Sequence, residues 1–188
     1  MNPFINVLDF LIHISFTLYI YAIIIRVLLG LTHADFYNPF SQFILTITSP
    51  ILKPLRKCIP SINRLDTAAL VLVIFLAFTK LILRDLIEGE KIALGSLVIP
   101  VFVGLIDLVI NLFIFAIIAL VIISWIAPHL RSQNNPLASI LHSITEPLLR
   151  PVKNLIPPIG IFDLSALVVL VALYCVQIIL HSVYFNPF

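Results

Sequence analysis

Apolar residues gather into long runs along this chain, separated by segments that carry its prolines and most of its charges. A helix needs about 20 mostly apolar residues to cross the hydrocarbon core of a bilayer. Four stretches meet that length: 10–31, 65–83, 101–127 and 164–183. The centres of the last three, 68–78, 112–123 and 166–176, hold no charged residue. The first stretch is predicted to stay in the mature protein, because no Lys or Arg precedes it and its first basic residue is Arg26. Residues 92–99 are apolar as well. Pro100 is predicted to break them from the third span as an interfacial or loop piece; a fifth, short span is the lesser reading, since eight or nine residues fall well short of a crossing.

The chain also repeats itself. TSPILKPLRKCIPSINRLDTAALV, from Thr48, aligns without gaps on TEPLLRPVKNLIPPIGIFDLSALV, from Thr145, an offset of 97 residues. The same offset places Pro50, Pro54, Pro60 and Asp66 on Pro147, Pro151, Pro157 and Asp163, and Asn38-Pro39 on Asn135-Pro136. Each copy reads as span, long loop, span. Two crossings per copy make the copies run the same way through the membrane, related by an axis along its normal. The expected fold is an all-α membrane protein with four transmembrane helices in two parallel copies. Residues 1–87 form the first copy, 88–100 an apolar connection and 101–188 the second.

The loops at 38–60 and 135–157 have a pattern of their own. Asn followed by Pro is a helix opening, with Asn38 and Asn135 as N-caps. Phe40, Phe43, Ile44 and Ile47, and Leu137, Ile140, Leu141 and Ile144, follow at the spacing of one helical stripe. After Pro50 and Pro147, a second piece sets Leu52, Leu55 and Ile59 against Lys53, Arg56 and Lys57. Its counterpart sets Leu149, Val152 and Ile156 against Arg150 and Lys153. Short helices with an apolar stripe and a basic face lie among lipid headgroups, where each cation gains about 1 kcal/mol from anionic lipid. The stripes could equally pack on the transmembrane helices, with the prolines turning the chain.

Composition excludes most other classes. Of 188 residues, 61% are hydrophobic and 11% charged. Soluble domains average roughly 45–50% and about 25%. An ordinary soluble enzyme, a disordered tail and a nucleic-acid-binding domain are set aside together. Lys53, Arg56, Lys57, Arg64, Arg131, Arg150 and Lys153 lie in the two long loops, but only Arg84 and Lys91 between the second and third spans. Positive charge stays inside, so the long loops are predicted to be cytoplasmic and both termini outward. Cys58 and Cys175 have neither metal-ligand nor disulfide spacing, and His13, His33, His129, His142 and His181 form no i, i+3 or i, i+4 ligand pair. No phosphate loop, nucleophile elbow or HExxH sequence is present, so no cofactor, metal or enzymatic activity is expected.

Asn38-Pro39-Phe40 after the first span, the run from Pro50 to Pro60 with Arg56, and Asp66 opening the next span together resemble the YggT (YlmG-related) membrane proteins. The second copy, from Pro147 to Pro157 and Asp163, does so too. The likeness covers nearly the whole chain and matches the duplicated bacterial form. It implies an inner-membrane protein of a family linked in bacteria to osmotic-stress tolerance, and in plastids to cytochrome assembly and nucleoid organisation. It implies no enzymatic reaction. In the second copy Ile123 stands where Arg26 stands in the first, so any role of that arginine is served once per chain.

Two further groups are candidates. Arg26 and Asp66 are expected at one membrane level, as a bracing ion pair or as a snorkelling arginine and a helix cap; Asp163 would share the capping role. In the outward half, Asn6, Asp9, His13 and Thr17 share a face of the first helix. Lys80, Asp107, Asn111, Gln177 and His181 fall at similar depth on the others. Such residues line a functional interior or hold helices together near the outer interface. The expected role is to organise or assist other membrane components, with anionic lipid, a second copy or another membrane protein as partner. The alternative is an oligomeric ion or osmolyte conduit with the polar group as its vestibule.

Overall fold

The computed structural model describes residues 3–32, 34–61, 65–89, 94–126, 135–155 and 164–185. These residues form six helices and no strand. They are α1 (Pro3–Leu31), α2 (Pro39–Cys58), α3 (Thr67–Glu88), α4 (Leu94–Ile126), α5 (Pro136–Leu155) and α6 (Leu164–Phe185). Asp163, Pro157, Arg64, Lys91, Arg131, His33 and His129 lie outside the described residues.

The helix starts follow local chemistry. Asn38 Oδ1 accepts the Phe40 N–H at 2.9 Å, and Asn135 Oδ1 accepts those of Leu137 and Ala138 at 3.0 and 3.5 Å. Each bond satisfies a donor that the first helical turn leaves unused. Asp66 does the same for α3, accepting from the Ala69 N–H at 3.3 Å. Gly89 ends α3 at φ 75°, in the left-handed region, and returns its N–H to the Asp85 carbonyl.

Three helices are long and apolar enough to cross a membrane: α1, α4 and the Leu164–Ser182 part of α6. Their outward residues are large and apolar, among them Phe10, Leu18, Phe115, Ile178 and Ile179. A chain that leaves such side chains uncovered along its longest helices has hydrocarbon as its solvent, and this is a membrane protein. The predicted span at 65–83 falls on α3, which is not among the three and carries Lys80, Arg84, Asp85 and Glu88 in its last turns.

Proline placement corrects two sequence expectations. Residues 94–99 are not a separate piece: α4 starts at Leu94 and runs through Pro100. The loop helices are not broken at Pro50 and Pro147 either, since α2 and α5 are each a single helix of 20 residues with two interior prolines. Within each helix the two prolines are one turn apart, and all four are exposed. The missing N–H bonds thus fall on one outer side, while the inner side keeps its bonds and its packing.

The chain folds as two compact units: residues 1–27 with 44–106, and residues 28–43 with 107–188. In the first, the buried residues include Ile20, Ile23, Ile24 and Arg26 of α1, Ile44, Thr48 and Leu52 of α2, Ala68, Ala69, Leu72, Val73 and Ala77 of α3, and Leu97 and Val101 of α4. In the second, Ile117, Leu149, Ala166 and Val169 form a core cluster, and α5 packs on α6. There Asn38 Nδ2 donates to the Pro136 carbonyl at 2.6 Å, which joins the residue capping α2 to the first residue of α5.

Candidate functional site

Arg26 is the buried cation among the described residues. It lies near the end of α1, 8% exposed, and its Nη1 reaches α2. It donates to Thr48 Oγ1 at 2.6 Å, to Ser49 Oγ at 3.2 Å and to the Leu45 carbonyl at 3.4 Å. Thr48 is fully buried and donates its own hydroxyl to the Ile44 carbonyl, so its lone pairs face the guanidinium. In the second unit Thr145 is buried at the matching place and donates to the Leu141 carbonyl at 2.8 Å. No arginine stands opposite, because Ile123 takes the place of Arg26.

Arg26 and Asp66 do not pair directly. The Asp66 carboxylate is taken by Arg56, through Nε–Oδ1 at 3.4 Å and through Nη2 with Oδ2, in addition to its cap on α3. Arg56 presents both edges of its fork from the end of α2, whereas the Arg26 head is already engaged by hydroxyls in the middle of that helix. The hydroxyl partners Thr48 and Ser49 were not singled out from the sequence. The one signal, for Thr48 alone, was that threonine occupies the same place in both copies.

The predicted basic face separates into two kinds of residue. Lys53, Lys57 and Arg150 are exposed and make no ion pair among the described residues. Arg56 is paired as above, and Lys153 Nζ lies 4.0 Å from Glu146, which also has His142 at 3.5 Å. The apolar stripes separate as well. On α2, Phe43, Ile47 and Ile51 are 59%, 38% and 46% exposed, while Ser41, Ile44, Thr48 and Leu52 are buried. On α5 the counterparts Ile140 and Ile144 are 1% and 4% exposed. Stepping 100° per residue, α2 therefore has a buried side, an exposed basic side and, between them, an exposed apolar side.

The polar residues predicted for the outward half form two networks, one in each unit. In the first, Lys80 Nζ donates to Thr17 Oγ1 at 3.4 Å, and Lys80, Asp9 and Arg84 are within electrostatic reach of His13. In the second, Asp107 accepts from Asn111 Nδ2 at 3.0 Å, Gln177 Nε2 at 2.8 Å and His181 Nε2 at 3.0 Å. Gln177 Nε2 also reaches Asn111 Oδ1 at 3.1 Å. The 97-residue offset puts Lys80 on Gln177 and Arg84 on His181. Polar side chains thus tie the last helix of each unit to its long apolar helix, with different chemistry in each. Amide and imidazole donors surround Asp107, an arrangement suited to holding a carboxylate rather than presenting its lone pairs to a cation.

The sequence matches a set of bacterial proteins. The chain is 36% identical over 174 residues to a Vibrio alginolyticus protein described as an uncharacterized protein in the proC 3' region, covering 89% of this chain and 90% of that one. It is 33% identical over 175 residues to the uncharacterized protein YggT of Escherichia coli K12, covering 92% and 88%. A Haemophilus influenzae protein is 34% identical over 150 residues, covering 79% and 77%. No solved structure matches. The family model described as CCB3/YggT matches residues 5–87 and 99–184, which between them hold all six helices almost entirely. The chain belongs to the CCB3/YggT family.

Proposed function

We propose that this protein is a non-enzymatic component of the bacterial inner membrane that organises or assists other membrane components, in a family linked by resemblance to osmotic-stress tolerance. The observation that carries this reading is the surface of α2. Phe43, Ile47 and Ile51 are exposed on one side, with Lys53 and Lys57 exposed on the next. That combination suits a helix lying in the headgroup layer, apolar side down and cations toward lipid phosphate.

In this reading α1, α3, α4 and α6 cross the membrane, as two parallel span–helix–span copies. Several observations support it. α2 and α5 have equal length and begin 97 residues apart, as do α3 and α6, and the family model matches the two halves separately. Lys80 and Arg84 can extend from the outward end of α3 to the interface, their stems remaining in hydrocarbon. The bias of Lys and Arg toward the long connections then faces these inward and both termini outward.

Single-cysteine labelling from outside tests the four crossings. Asn2→Cys, Glu88→Cys and Asn186→Cys are expected to react, and Gln133→Cys to be protected. With three crossings, omitting α3, Glu88→Cys and Asn186→Cys would be protected and Gln133→Cys would react. The role itself is tested in a strain lacking its own family member. A Lys53→Gln/Lys57→Gln variant is expected to restore growth after an osmotic upshift less well than the unaltered protein, and full restoration would remove the basic side of α2 from the role.

A further inference from the structure

The turn between α1 and α2, within the second unit, displays two aromatic side chains on a fixed backbone. The Ala34 N–H returns to the Leu29 carbonyl at 3.2 Å and Ala34 is buried, so the chain folds back against the end of α1 instead of running out from it. Asp35 Oδ1 then accepts the Tyr37 N–H at 2.9 Å. From the start of α2, Ser41 Oγ donates to the Asp35 carbonyl at 2.9 Å and Gln42 Nε2 to the Phe36 carbonyl at 2.6 Å. These backbone groups bond to the turn itself and to α2, while the two rings stay uncovered: Phe36 is 43% exposed and Tyr37 92%.

Neither packing nor the repeat accounts for these rings. The 97-residue offset puts Ser132, Gln133 and Asn134 at the places of Asp35, Phe36 and Tyr37, so the second copy makes the same connection from polar residues. In water an uncovered Phe–Tyr pair gains nothing. The level of the turn supplies the reason for it. α1 is long and apolar enough to cross a membrane, and its 29 residues extend about 44 Å, close to the roughly 40–45 Å of a bilayer with its headgroups. A turn folded against the end of such a helix stands at headgroup level. Rings with an apolar body and a polar tip concentrate there.

We infer that Phe36 and Tyr37 form a lipid-binding anchor, with the Phe36 ring among the upper acyl chains and the Tyr37 phenol against the ester and phosphate oxygens of the headgroups. Asp35, Ser41 and Gln42 already hold the backbone of the turn, so insertion costs little ordering. The anchor pins the level at which α1 ends and α2 begins. This placement needs only that α1 crosses, whatever the number of crossings and however α2 lies.

The sequence has a single tryptophan, Trp125, so a Trp125→Phe background makes the turn readable by fluorescence. Tyr37→Trp exchanges one exposed ring for another and leaves the turn intact; Phe36→Trp serves as a second reporter. The full chain is placed in vesicles of phosphatidylcholine, or of the same lipid brominated near the top of its acyl chains, and each is titrated with iodide. Bromine is expected to remove about half or more of the emission of both reporters, and iodide to quench them several-fold less than free tryptophan. Absence of bromine quenching overturns the inference. Iodide then tells where the turn lies: full quenching places it in water, and shielding places it under protein, a second copy included. If one reporter does not fold, the other decides alone. If the Trp125→Phe background does not fold, both are read by difference against the unaltered protein.

Discussion

Arg56 and Asp66, ten residues apart, meet at two points, Nε with Oδ1 at 3.4 Å and Nη2 with Oδ2. Asp66 also caps α3 through the Ala69 N–H. One carboxylate thus fastens the end of one helix to the start of the next.

The two roles of Asp66 separate by substitution. Asp66→Asn keeps an N-cap acceptor and loses the ion pair, which is partly exposed and contributes at most about 1 kcal/mol. Asp66→Ala loses the cap as well, a further loss of about 1 kcal/mol. Unfolding of the purified protein in detergent is expected to rank unaltered, Asn and Ala in falling stability. Equal losses for Asn and Ala would mean that the cap contributes nothing.

Threonines at matched places are expected to respond unequally. Thr48→Val removes the closest acceptor of a buried guanidinium and should cost about 1–3 kcal/mol. Thr145→Val removes a hydroxyl bonded only to carbonyls of its own helix and should cost less than about 1 kcal/mol. Unfolding of the two variants measured side by side tests the contrast, and a Thr145→Val loss as large as that of Thr48→Val would contradict it.

Double-mutant cycles can measure the two polar networks. Asp107 and Gln177 meet at 2.8 Å, and their coupling should approach the roughly 0.6 kcal/mol typical of side-chain hydrogen bonds between membrane helices. Lys80 and Thr17, at 3.4 Å, should couple more weakly. A Lys80–Thr17 coupling larger than that of Asp107–Gln177 would reverse the order of strength drawn from the distances.

Helix starts and long apolar helices were legible in the sequence, while neighbours were not. The caps at Asn38, Asn135 and Asp66 depend on bonds across two or three residues, so short patterns reveal them. Run length likewise reveals long apolar helices. Depth alone grouped Asp9, His13, Lys80, Asp107, Asn111 and Gln177 into one cluster, but which of them meet depends on how each helix is turned about its axis. The same limit hid the partner of Arg26. Pro50 and Pro147, read singly, signalled breaks; only the burial of Thr48, Leu52, Thr145 and Leu149 explains why the helices continue. The contrast between exposed Ile47 and buried Ile144 has no counterpart in the sequence, where both are isoleucine at the same place in the repeat.

The length of α4 bears on the bilayer around it. Its 33 residues extend about 50 Å, against roughly 30 Å of hydrocarbon. To lie wholly within that thickness it would have to lean roughly 50° from the membrane normal, beyond the 0–40° range that transmembrane helices adopt. If α4 crosses as proposed, some of it projects among the headgroups, the helix bends at Pro100, or the lipid beside it thickens, and each response carries a cost. Lengthening the acyl chains reduces that cost and shortening them raises it, so α4 couples the protein to the thickness of the membrane that holds it.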